Sequence, residues 1–147
     1  MSVKDNLSME YEARAMISEE QYRILLSFHK EHATKYKEIV NVNSYFDTPN
    51  RDIVKNHMVL RIREINEKEN ELTLKIKGSE GDLEITYKIS ENEMKTMKEN
   101  GFVPSRKIRE ILLQKGIDIS LIKYITTLKT ERFEEYTDEY IFVIDKN

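Results

Sequence analysis

Between residues 59 and 77 the chain alternates apolar and polar residues in two successive segments, and the polar positions are sorted by charge. Val59-Leu60-Arg61-Ile62-Arg63-Glu64-Ile65 sets Arg61 and Arg63 two residues apart among aliphatics, and Glu71 to Lys77 sets Thr73, Lys75 and Lys77 in the same way. A period of two is the period of a strand, so each set shares one face. In an ordinary half-buried sheet that face looks into water. Exposed strands usually mix Thr, Ser, Lys and Glu, however, whereas these carry one sign, and two neighbouring guanidinium forks suit phosphate oxygens. A sheet closed into a barrel resolves the tension, because its inner face tolerates charge when it holds water, ions and ligand. The apolar face then points outward under helices. Lumenal charge is costly unless it is paired, so an opposite charge must fill the interior. A polyphosphate with bound metal meets that requirement.

The remaining chain supplies the other strands of such a sheet. Leu7 to Ile17 alternates and predicts a strand with Glu10, Glu12 and Arg14 on one face. Ser18 and Gln21 form a capping-box pattern ahead of Tyr22, Leu25, Leu26 and Phe28, which predicts a helix to about His32. Glu38 to Phe46 reads as a strand and Asp47-Thr48-Pro49-Asn50 as a turn. Glu71–Lys77 and Leu83–Ile89 flank a glycine-containing connection suited to a hairpin. Ser90 and Ser105 cap helices over 91–100 and 106–115, closed by Gly101 and Gly116. Tyr124 to Tyr136 and Tyr140 to Asp145 are the last strands, around a turn at 137–139. Neighbouring strands with three short helices between them favour an antiparallel α+β meander or barrel over a doubly wound parallel sheet.

Composition narrows the chemistry. At 147 residues the chain fits one domain. It has 24 Lys and Arg against 27 Asp and Glu, so no basic excess signals nucleic-acid binding, and any anion site must be a local concentration of positive charge. Cysteine is absent, which excludes disulfides, thiolate metal sites and cysteine nucleophiles. No apolar run approaches the roughly 18–20 residues of a membrane span, and Met1 to Ser8 lacks the apolar stretch of a signal peptide, so the expected location is cytoplasmic. His29 and His32 share a helix without a carboxylate pattern beside them, His57 falls in a loop, Met94 and Met97 read as helix packing, and Arg106, Lys107 and Arg109 as a solvated face.

Five ordered segments resemble the CYTH-domain family, the triphosphate tunnel metalloenzymes. Glu10-Tyr11-Glu12-Ala13-Arg14 is similar to its opening Glu-x-Glu-x-Lys motif. Tyr45-Phe46-Asp47-Thr48-Pro49, Leu60-Arg61-Ile62-Arg63, Leu72-Thr73-Leu74-Lys75-Ile76-Lys77 and Glu84 follow in the family's order. The resemblance implies an eight-stranded antiparallel barrel or tunnel with short helices outside, and a triphosphate-containing small molecule as substrate. It implies Mg²⁺ or Mn²⁺ held by Glu10, Glu12 and Asp145, because hard carboxylate oxygens suit these ions and the metal bridges phosphate oxygens. It implies phosphate binding by Arg61, Arg63, Lys75 and Arg132, with Lys77 beside Lys75, and a catalytic acidic residue at Glu84.

Two departures stand out. Arg14 replaces the family's usual lysine, keeping the charge but not the ability to lose a proton, which bears on any nucleophile-activating role. Family members also normally continue past the position of Asp145 to a second pair of glutamates. The expectation is therefore one domain over 1–147 that lacks the usual C-terminal strands, through truncation or as a short variant, and whose uncovered edge invites a homodimer. The expected activity is divalent-metal-dependent hydrolysis of inorganic, nucleoside or thiamine triphosphate. The alternatives are a class IV-type adenylate cyclase and a non-catalytic polyphosphate- or nucleotide-binding module.

Overall fold

The computed structural model describes residues 14–147 in full and the backbone of residues 5–10. In chain order its elements are β1 (Asp5–Glu10), α1 (Glu19–His32), β2 (Tyr36–Asp47), α2 (Asp52–Lys55), β3 (Met58–Ile65), β4 (Glu69–Ile76) and β5 (Asp82–Lys88). They continue with α3 (Glu91–Asn100), α4 (Arg106–Gln114), a 3₁₀ turn (Ile119–Leu121), β6 (Lys123–Tyr136) and β7 (Ile141–Lys146). The strands form one antiparallel sheet in the order β1-β5-β4-β3-β2-β6-β7.

The α+β antiparallel class is as the alternation implies, but the expected eight-stranded closed barrel is not formed by the described residues. They make seven strands, with β1 and β7 as the two edges of an open sheet. Closure requires the edge strands to meet and share hydrogen bonds, and here each pairs with one neighbour only.

Alternation divides the sheet into two chemically distinct faces. Phe46, Leu60, Ile62, Leu72, Leu74, Ile85 and Tyr87 form the apolar face, packed with Ile53 of α2, Met97 of α3 and Ile108 and Leu112 of α4 in one buried core. Helix α1 lies on this face too. Its Lys30 Nζ pairs with Glu38 at 2.6 Å, and its His29 ring stacks on Phe142 at 4.0 Å while contacting Glu135 at 2.8 Å. The apolar face therefore points outward under helices, as a charged inner face demands.

Local sequence chemistry places the helices where it predicts them. Ser18 with Gln21 and Ser90 with Glu93 make both halves of a capping box, and Ser105 Oγ accepts from Ile108 N at 3.2 Å. Replacing Ser90 with alanine removes the acceptor for Glu93 N and is expected to cost about 1 kcal/mol, measurable by thermal denaturation. Gly101 ends α3 at φ 78, and a Cβ there would stand 1.7 Å from the Ile122 carbonyl oxygen, so only glycine lets the chain pass.

The expected turn after β2 is present at residues 49–50, and a single helical turn, α2, follows it directly. Asp47 accepts from the backbone N–H groups of Thr48 (2.7 Å), Ile53 (2.9 Å) and Val54 (3.2 Å), and Thr48 Oγ1 donates to Asp52 Oδ2 at 2.7 Å. These bonds wind the single turn of α2, which propensity over four residues cannot signal.

Candidate anion site on the inner sheet face

The register carries a set of polar side chains across the sheet. Directly opposed residues share a face, so Lys75 with Glu84, Arg61 with Thr73 and Tyr45, and Arg63 with Asn43 all project to the side away from the helices. The same face continues through β6 and β7 with Arg132 opposite Asp145. At the other edge it reaches β1, where Glu10 lies opposite Asp82 and Ser8 opposite Glu84.

On β2 to β5 this face is buried or half-buried, whereas on β6 and β7 Leu128 and Asp145 are exposed. Thr73, Lys75, Glu84, Asn41 and Asn43 are each less than a tenth exposed.

The charges are unequally paired. Arg132 donates from Nε to Asp145 Oδ1 at 2.8 Å and from Nη2 to Oδ2 at 3.0 Å, a fork-on-carboxylate bond, with Glu134 at 3.6 Å. Lys75 Nζ lies 3.5 Å from Asp82, and Arg61 Nη2 lies 3.6 Å from Glu84, too long for a good hydrogen bond. Arg61 Nε is buried without a partner. Arg63 has no carboxylate partner among the described residues. Its Nε donates to the neutral Asn43 Oδ1 at 2.7 Å. Burial first, then the charges of Arg61 and Arg132, lower its guanidinium from the ordinary range to about 10. A desolvated group of cations held this way is matched by an anion of several charges.

The residues expected from sequence are distributed as follows. Arg61, Arg63, Lys75, Glu84, Arg132 and Asp145 share the inner face by register. Glu10 ends β1 opposite Asp82, while Glu12 lies outside the described residues, as does the Glu10 side chain. Two placements differ in detail from the expectation. Lys77 follows the end of β4 at Ile76 and is exposed where Lys75 is buried, its N–H donating to His57 O at 2.9 Å. Arg14 is not in a strand and is exposed in the segment before α1.

Sequence reading also missed Asn41, Asn43, Tyr45 and Asp82. Their signal was present as polar residues at alternate positions of β2 and as the residue two before Glu84.

For a metal, the carboxylate oxygens at the Glu10–Asp82 edge have the hard-donor chemistry of a small dication. The described residues alone do not gather three or more such ligands. Glu10 and Asp145 stand on opposite edge strands, and both Asp145 oxygens already accept from Arg132.

Residues 8–147 match the family model described as the CYTH domain. The chain belongs to the CYTH family. The Bacillus subtilis protein named "Putative triphosphatase YjbK" is 36% identical over 104 residues, which are 70% of this chain and 52% of that protein. The chain thus matches about half the length of that curated relative. A Bacillus halodurans crystal structure, described as that of "a putative adenylate cyclase", has TM-score 0.76 and 28% identity over 97% of this chain and 71% of its own. The HpAC1 protein of Hippeastrum, described as having a dominant triphosphatase activity, has TM-score 0.69 over 96% of this chain and 70% of its own, and at 16% identity it supports the CYTH fold alone. CYTH proteins generally use a divalent metal. None of the described helices is long and apolar enough to cross a membrane.

Proposed function

We propose that this CYTH chain binds a triphosphate-containing small molecule on the inner sheet face and hydrolyses it with a divalent metal. The observation that carries the reading is Arg63, half-buried and acted on by the charges of Arg61 and Arg132, with no carboxylate in contact among the described residues. A single phosphate could answer one guanidinium. A chain of three phosphates offers oxygens to Arg61, Arg63, Arg132 and Lys75 together, across four neighbouring strands. The curated relative's name points the same way.

In this reading the four cations clamp the phosphates and neutralise charge that grows on the transferred group, which is most of what phosphoryl transfer requires of a protein. Glu84, buried beside Arg61, orients the attacking water. Mg²⁺ or Mn²⁺, held by Glu10, Glu12 and Asp145, would supply charge neutralisation at the phosphate oxygens. For Asp145 to serve, the sheet must curl until its edges approach, and Arg132 must give up part of its carboxylate to the ion. Closure of the inner face into a tunnel follows from the same requirement.

The test is phosphate release from inorganic triphosphate, ATP and thiamine triphosphate with Mg²⁺ or Mn²⁺, with product analysis for cyclic AMP. Hydrolysis that stops on adding EDTA is the expected result. Glu84→Gln, which keeps the shape but not the charge, is expected to lower kcat about 10²-fold with little change in KM. Cyclic AMP as the main product from ATP would replace hydrolysis by cyclisation. Binding without turnover would leave a sensor or storage module.

A further inference from the structure

The three arginines of the inner face are held by three different kinds of neighbour. Asp145 takes Arg132 in a two-pronged bond, Glu84 stands 3.6 Å from Arg61, and Arg63 is held by an amide. That amide is Asn43, opposite Arg63 in the β2–β3 register and only 2% exposed. A side chain so buried can neither rotate into solvent nor trade its partner for bulk water, so the 2.7 Å bond from Arg63 Nε fixes the plane of the guanidinium.

We infer that Asn43 is a positioning residue for the anion: its amide oxygen anchors Arg63 through Nε, leaving the Nη1 and Nη2 edge to a phosphate, and orients the cation without cancelling its charge. The inference rests on the triphosphate reading above and names the residue that sets the geometry of that site. A carboxylate at this position would make an equally good or better bond to Nε, yet it would neutralise the cation that the site needs. An aliphatic residue would leave the charge but release the plane. The depressed proton affinity of Arg63 agrees, because burial and the charges of Arg61 and Arg132 outweigh the raising effect of Tyr45 and Glu84.

The experiment is calorimetric titration of the full chain with inorganic triphosphate and Mg²⁺, together with thermal denaturation. Asn43→Asp retains size and the acceptor, so a merely structural Asn43 predicts unchanged melting and unchanged binding. The positioning role predicts unchanged or higher melting temperature and binding weaker by about 10²-fold. Asn43→Ala is expected to weaken binding about tenfold in the native protein and less than about twofold in an Arg63→Ala background, because it acts through Arg63. Should the Asp variant fail to fold, the alanine cycle decides. Wild-type protein that does not bind triphosphate overturns the functional reading itself. Wild-type protein that binds, with Asn43→Asp equally tight or with the two alanine effects simply additive, overturns the role of Asn43 alone.

Discussion

Arg63→Met is expected to lower kcat/KM for triphosphate at least about a hundredfold while leaving the protein as stable as wild type or slightly more so. The catalytic loss follows from removing the inner-face guanidinium that has no carboxylate to share. The stability expectation follows from the same isolation. A fall from the ordinary guanidinium range to about 10, at about 1.36 kcal/mol per unit, places on the order of 3 kcal/mol of strain on the folded state. The sign is that of a cation disfavoured by burial: the penalty is complete below pH about 10 and is relieved only as pH rises through that value toward the ordinary range. At neutral pH it is present in full and does not vary. Methionine fills the same space without charge, but leaves Asn43 Oδ1 without its donor, which gives back about 1–3 kcal/mol. The melting temperature should therefore stay level or rise by a few degrees. Retained turnover would remove Arg63 from the anion site, and a large fall in melting temperature would show that its role is structural.

Asp47→Ala should have the opposite profile, a large loss of stability with no direct effect on the inner face. Asp47 is 5% exposed and accepts three backbone N–H groups, two of them at the start of α2. Alanine leaves these donors unsatisfied beside Ile53, which is fully buried in the core. The expected cost is about 2–4 kcal/mol, or a fall of roughly 5–12 °C in melting temperature for a chain of this length. Asp47→Asn keeps one oxygen and should fall between the two. A melting temperature within two degrees or so of wild type for the alanine variant would show that water replaces the carboxylate at little cost.

The Tyr45-Phe46-Asp47-Thr48-Pro49 segment illustrates how family resemblance and physical role diverge. Its order in the sequence helped to indicate the family, yet Asp47 and Thr48 hold a turn of helix, and Phe46 sits in the core. Only Tyr45 of the five projects onto the inner face, opposite Arg61. Asn43, which touches Arg63, stands two residues before the segment and belongs to no motif read in the sequence.

Strand faces and helix starts were legible in the amino-acid sequence because both are set by neighbours within a few residues. Alternation at Arg61, Arg63, Thr73 and Lys75 determined which side chains share a face, and serine caps at 18, 90 and 105 determined where helices begin. That Arg14 lies outside any strand and that β4 ends at Ile76, one residue short of Lys77, depended on tertiary pairing. So did the openness of the sheet, since closure is a matter of edges meeting across the whole molecule. The pairing of each cation was likewise a tertiary outcome: Arg132 met Asp145 and Arg63 met Asn43 through strand register. Local periodicity can say that several positive charges lie on one side of a sheet. Which of them keeps its charge for a ligand depends on cross-strand contacts between residues far apart in the chain, and those exist only once the sheet has assembled.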